Sequence, residues 1–255
     1  MTTHSTRHWQ KLRRDEIAAE AGRGAVLLQP IGAVEQHGPH LPLDTDIAAV
    51  SAVCERAAGL LDDPPALVLP GIPWGLSPYW LPFAGTLSLS PATILALIDD
   101  IGASAAAHGF RRMVVVNGHG GNAGIVAVAA TNLARAGIRA VSLSWWDVLR
   151  GDLVALTPRD GGHIGHAGQT ETSVQLALQP ERVAMDLAVP GLGADLAAAT
   201  AGEFWGVGYA PPDPAREAPE GVYGDPSAAD AATGAEVLRR ASERLAAFVR
   251  AFAAG

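Results

Sequence analysis

The chain has 255 residues, 49% hydrophobic and 17% charged, with a formal net charge of −8, enough apolar material for residues 1–255 to form one domain. Lys11 is the only lysine and no basic stripe is present, which argues against nucleic acid as a partner. No apolar run reaches the roughly 20 residues of a membrane span, and a single cysteine, Cys54, excludes an internal disulfide framework or a thiolate zinc cluster.

Residues 1–22 have no apolar segment followed by a small-residue cleavage pattern, so a cytoplasmic protein is expected. Residues 25–31 (AVLLQPI) read as a buried strand, 47–61 as a helix and 66–70 as a second strand. Ser90-Pro91 reads as an N-cap followed by proline at the first helical position, starting a helix to about residue 108. Residues 112–116 (RMVVV) form a third expected strand, 123–136 a helix and 138–143 a fourth strand. Residues 172–178 are apolar at helical spacing. Residues 180–226, rich in Pro, Gly and Asp, are expected to wander over the surface. Residues 227–254 close the chain as a helix with Val237, Leu238, Ala241, Leu245, Phe248, Val249 and Phe252 on one face. Strands and helices in alternation imply an α/β fold with a mainly parallel sheet covered on both faces.

Parallel α/β sheets bind ligands beyond the carboxyl ends of their strands, and polar residues collect there. After the first expected strand come Glu35, His37, His40, Asp44 and Asp46. Extended backbone would turn Glu35 and His37 to one side, and Asp46 could return at the start of the next helix, where a carboxylate is favoured. Glu, His and Asp together are the oxygen and nitrogen ligands that suit zinc, manganese or iron; a polar loop with a helix cap is the simpler alternative. After RMVVV comes Asn117-Gly-His119-Gly-Gly-Asn122, where glycines let the backbone approach a ligand and His119 reads as a ligand. His163, His166 and Glu171 form a third group, with His166 and Glu171 as an acid/base and ligand pair, or with Glu171 simply a favourable dipole partner in a first helical turn. Trp145 and Trp146 follow the fourth strand and could line a substrate mouth or fill the core. No G-x-S-x-G elbow, Walker loop or G-x-G-x-x-G is present.

Together these strings resemble the creatininase family: Glu35-Gln-His37-Gly with Asp46, Asn117-Gly-His119, Ser144-Trp-Trp146-Asp147, and His166 with Glu171-Thr-Ser. Phe83-Ala-Gly-Thr86 is similar to the family's Phe-Pro-Gly-Thr segment, and Gly224-Asp225-Pro226 to a late turn in several members. The resemblance spans about residues 25–234. It implies a three-layer α/β/α sandwich and two divalent ions (Zn, Mn or Fe) held by Glu35, His37, Asp46 and His119, with Asp46 bridging. It implies that His166 handles the proton or the tetrahedral intermediate and that Trp146 closes over substrate. Creatininase proper carries Tyr-Glu after the histidine, where this chain has Gly120-Gly121. The glycine-bearing branches suggest Glu171 as the replacement ligand. The His166-to-Ser173 string is closest to mycofactocin precursor peptidases, whereas Trp-Trp-Asp is closer to creatininase. Trp80 stands where many members carry a histidine, and Trp80 and Gly120 are expected to touch substrate.

The expected activity is hydrolysis of a C–N amide bond, in a cyclic amide, small peptide or formamide, by a dinuclear metal-bound hydroxide. The alternatives are a lactonase acting on a cyclic ester or ketone, and a non-catalytic metal- or ligand-binding homologue. The expected partner is a small-molecule or short-peptide substrate. The resemblance also implies a homo-oligomer, with hexamers common in the family, and the stretch 205–220 with Phe204 and Trp205 reads as either an interface or an ordered surface loop.

Overall fold

The structure, a computed structural model, describes residues 6–149, 151–161, 163–191 and 213–255. Phe204, Trp205 and residues up to 212 lie outside the described residues.

Four strands, Val26–Ile31 (β1), Ala66–Val68 (β2), Arg112–Asn117 (β3) and Arg139–Ser144 (β4), pair in parallel in the order β2-β1-β3-β4. Side chains alternate across a strand, and here both faces are buried, which explains the unbroken apolar runs in β1 and β3. Val26, Leu28, Val114 and Val116 face one side. There they meet helix Thr45–Gly59, helix Gln169–Leu178 and the closing helix Ala231–Ala254. Leu27, Ile31, Met113 and Val115 face the other, against helices Pro91–Ala107 and Ala123–Arg135. The layered α/β/α arrangement agrees with the expectation.

Differences from the sequence reading are local. The expected strand over 66–70 stops at Val68; Pro70 has no N–H to continue a ladder. The closing helix starts at Ala231 rather than 227, because Asp230 caps it by accepting from Thr233 N at 2.8 Å, and Pro226–Ala228 forms a separate 3-10 turn. A helix over Arg14–Gly22, which apolar spacing did not reveal, lays Ile17 and Ala21 against the second core. The largest correction concerns residues 180–226, read as a surface excursion. Part of that stretch folds inward: Val222 is fully buried, and Tyr223 exchanges two 2.8 Å backbone hydrogen bonds with His166.

Ser90 caps its helix as expected, its hydroxyl accepting from Thr93 N at 3.2 Å. Ser90→Ala is expected to lower stability by about 1 kcal/mol, read as a shift of the urea midpoint at unchanged slope.

Strand order places the functional residues. From β1 the chain moves outward to β2, then crosses back to β3 and on to β4, so the direction reverses between β1 and β3. The crevice at such a reversal, beyond the strand carboxyl ends, is where open α/β sheets bind ligands. Glu35 and His37 follow β1, and His119 follows β3.

Candidate metal centre

Asp46 lies in the first turn of helix Thr45–Gly59 and is 3% exposed. The strand-end glycines allow this helix terminus to press against the sheet: a Cβ at Gly32 would lie 2.6 Å from the Ile47 backbone, and one at Gly118 2.8 Å from the Asp46 carbonyl. Asp46 thus sits between the two adjacent loops. Asn117 shapes the His119 loop, donating to the His119 carbonyl at 2.7 Å and accepting from its N–H at 3.0 Å.

Five side chains then converge. Nδ1 of His119 lies 3.2 Å from Glu35 Oε1 and 3.1 Å from Asp46 Oδ2. Nε2 of His37 lies 3.2 Å from Asp46 Oδ1 and 3.6 Å from Glu171 Oε2. Ligand atoms of Glu35, Asp46 and His119 lie within 4.8 Å of one another, as do those of His37, Asp46 and Glu171. Asp46 belongs to both groups, one oxygen facing each imidazole.

The far nitrogen of each imidazole fixes its tautomer. His37 Nδ1 faces the Glu35 carbonyl at 3.1 Å, and His119 Nε2 faces the Leu76 carbonyl at 3.1 Å. Carbonyls only accept, so these nitrogens carry the protons and the opposite lone pairs point at the carboxylates, the arrangement that metal-ligating histidines adopt. Lone pairs aimed at carboxylates repel unless a cation or a proton lies between them. Both Glu35 oxygens and Asp46 Oδ2 are buried without a hydrogen-bond partner, at a cost that a bound cation removes. The residues present therefore fit divalent ions.

Without metal, protons fill the gaps. Burial alone would lower His37, but Asp46, Glu171 and Glu35 outweigh it and lift the group to about 10. Burial likewise opposes protonation of His119, and Glu35 and Asp46 raise it well above the usual value. Burial raises Glu171, with the Asp46 charge adding to it against His37, to about 8. Burial would also raise Asp46, yet His37 and His119 hold it well below the ordinary carboxylate range.

His166 is stacked between the His37 ring (centroids 4.2 Å apart) and the Trp80 indole (4.3 Å). Its Nε2 lies 2.9 Å from the Gln36 carbonyl and 3.0 Å from the Gln36 side-chain amide nitrogen, and its Nδ1 faces the cluster, 3.7 Å from Glu35 Oε1. Burial, and then the charge of His37, push its pKa well below the usual value, so the ring is neutral. Glu35, His37 and His166 also satisfy the geometry of a three-ligand group.

The cluster opens into a cavity of about 190 Å³ whose lining includes Tyr79, Trp80, Gly120, Trp146 and Tyr223. The two tryptophans after β4 divide the alternatives between them: Trp145 is core, 1% exposed, and Trp146 lines the cavity. His40 and Asp44 stay outside the cluster, His40 bonded to the Thr172 hydroxyl at 2.9 Å and Asp44 to Gln179 at 3.0 Å. His163 is exposed. Gly121 has no room for a side chain: a Cβ there would run into the Leu76 carbonyl and lie 2.5 Å from His119 Nε2. Sequence reasoning passed over Gln36, Tyr79 and Tyr223. Gln36 lies inside the quoted Glu-Gln-His string, and Tyr223 directly precedes the quoted Gly224-Asp225-Pro226 turn.

The Creatininase family model, described as creatinine amidohydrolase, matches residues 10–249. A creatinine amidohydrolase of Pseudomonas putida is 36% identical over 188 residues, covering 68% of this chain and 71% of the relative. A mycofactocin precursor peptide peptidase of Mycolicibacterium smegmatis is 36% identical over 227 residues, covering 86% and 84%. A zinc–zinc form of a creatininase mutant superposes with a TM-score of 0.80 at 32% identity, covering 97% of this chain and 98% of that one. A manganese creatininase gives 0.80 at 32%, covering 96% and 98%. Matched over nearly its whole length in sequence and fold, the chain belongs to the creatininase family.

Proposed function

We propose that this chain hydrolyses the C–N bond of a compact amide with two divalent ions, zinc, manganese or iron. Glu35, Asp46 and His119 would hold one ion, and His37, Asp46 and Glu171 the other. As a creatininase-family hydrolase it acts on amide bonds. The single observation that carries the dinuclear reading is Asp46, whose two oxygens face two different imidazole lone pairs at 3.2 and 3.1 Å. Three buried carboxylates, Glu35, Asp46 and Glu171, supply three of the four negative charges that would balance two divalent ions. Ions of this kind would polarise a scissile carbonyl and lower the pKa of a bound water toward about 7.

The chain's own residues supply the rest. His166, neutral and held by the Gln36 carbonyl, presents Nδ1 to the cluster. It is placed to take the proton of the attacking water and deliver it to the leaving nitrogen. Trp80 and Gln36 fix the ring on two sides. Trp80 and Trp146 wall the cavity against water, and Gly120, with open space at its Cβ position, leaves the floor clear for substrate. No lysine or arginine lines the cavity among the described residues, which favours a neutral or cationic substrate, a small molecule or short peptide, over an anionic one.

A hydrolysis screen of the metal-loaded protein on small lactams, formamides and short peptides, each lactam matched with its lactone, tests the activity. Turnover of lactams or peptides is expected. Turnover of lactones alone would make the protein a lactonase, and tight metal binding without turnover of any amide or ester would make it a binding protein.

Metal binding is expected to release protons at pH 7, because His37, His119 and Glu171 are protonated without metal and must lose their protons to ligate. Affinity should therefore rise with pH from 7 toward about 10, where the His37 pKa lies. Calorimetric titration in buffers of different ionisation enthalpy reads the proton count; zero released would contradict the ligand set.

Exposed Trp74, Leu81 and Leu87 lie on one segment and support a homo-oligomer, for which gel filtration is the check. The single buried cysteine suits a cytoplasmic setting, and no helix among the described residues is long and apolar enough to cross a membrane.

A further inference from the structure

Asp160 lies outside the ligand set, in the turn Pro158–Asp160, and is 2% exposed. Its carboxylate reaches the first turn of helix Gln169–Leu178, which carries Glu171. Oδ1 accepts from Gln169 N at 2.9 Å, and Oδ2 accepts from Thr170 N at 2.7 Å and from the Thr170 hydroxyl at 2.8 Å. The first N–H groups of a helix have no partner within it. A local N-cap side chain normally serves them, but the N-cap position here is Gly168, which has none. A Cβ at Gly168 would collide with Asp160 Oδ1, so the glycine is what admits the carboxylate. A Cβ at Gly224 would lie 2.6 Å from the same oxygen.

The loop that Asp160 anchors is under strain and carries the proposed chemistry. Ala167 has φ +54, the one non-glycine residue with positive φ among the described residues, and such conformations persist only where surrounding structure enforces them. His166 precedes it, and Glu171 accepts from its N–H at 2.6 Å. Burial pushes the Asp160 carboxyl above its usual pKa, and the Thr170 and Gln169 donors pull it back.

We infer that Asp160 is a positioning residue: from a separate turn it caps the Glu171 helix and so sets where Glu171 and His166 meet the cluster. The inference builds on the roles proposed above for those two residues. A cap that served folding alone would change stability and leave metal affinity per folded molecule intact. A cap that positions Glu171 changes the affinity itself.

Cobalt titration of folded protein, followed by visible absorption, separates these cases. Asp160→Ala is expected to weaken the ion held by His37, Asp46 and Glu171 by about 10–100-fold, while the ion at Glu35 and His119 stays. Gly168→Ser alone should also weaken it, by colliding with Asp160. The double variant Asp160→Ala/Gly168→Ser is expected to recover most of the affinity. Removing the carboxylate makes room, the Gly168 backbone (φ −86) suits an N-cap, and serine supplies the acceptor locally. Asp160→Ala with both affinities within twofold of the parent would overturn the proposal, as would a double variant that binds no better than Asp160→Ala. If Asp160→Ala does not fold, Gly168→Ser decides: weaker binding of that ion per folded molecule supports positioning, and affinity within twofold of the parent overturns it. A parent protein that took no cobalt would sink the metal centre and this inference with it, whereas differences confined to the variants bear on Asp160 only.

Discussion

Asp46→Asn is expected to abolish binding of both ions and to lower kcat/KM by on the order of 10³-fold or more. That magnitude corresponds to the several kcal/mol a metal ion contributes as Lewis acid, converted at 1.36 kcal/mol per decade. Asparagine keeps the size of the side chain and removes the anion that both imidazoles face, at 3.2 Å from His37 and 3.1 Å from His119. The Asp46 charge is the largest factor raising His37 and a contributor to the rise of His119, so its loss strips counter-charge from both halves at once. Glu35→Gln is the informative contrast. Glu35 lies against His119 in one three-ligand group with Asp46, so that variant should lose one ion and keep the other. Elemental analysis of ions per chain, with circular dichroism to confirm the fold, reads both outcomes. Equal loss in the two variants would remove the bridging role from Asp46.

His166→Gln is expected to lower kcat by about 10²–10⁴-fold, the usual contribution of one positioned proton-transfer group, with metal content unchanged. The ring sits beside the cluster, with Nδ1 3.7 Å from Glu35, and its other nitrogen is committed to the Gln36 carbonyl. Glutamine can keep a bond to that carbonyl and has no group that takes up a proton near neutral pH. A different outcome would reassign the residue. Because Glu35, His37 and His166 could also surround an ion, loss of metal from His166→Gln would make His166 a ligand.

The sheet and its covering helices were legible because both faces of β1 and β3 are buried, which writes the strands as continuous apolar runs, and because Ser90-Pro91 marks a helix start by local chemistry alone. Glu35, His37, Asp46 and His119 were legible for a similar reason: each lies within a few residues of a strand end or helix start, so local order already places it at the carboxyl edge. Trp145 and Trp146 could not be told apart, because adjacent residues on a turn share composition and differ only in direction. Tyr223 and Asp160 escaped notice for a different reason. Their partners are remote in sequence, His166 for Tyr223 and the Gln169–Thr170 turn for Asp160, and no periodicity encodes a contact between irregular segments. Part of the 180–226 stretch looked like surface because Pro, Gly and Asp usually mean exposed loops; here some of those residues allow a tight return over the cavity.

The most direct test of the dinuclear centre is a crystal structure of the protein with its native metal retained, with the ions located by anomalous scattering. Two peaks sharing the Asp46 carboxylate are expected, one completed by Glu35 and His119 and the other by His37 and Glu171. A single peak, or two peaks with Glu171 turned away from both, would contradict it.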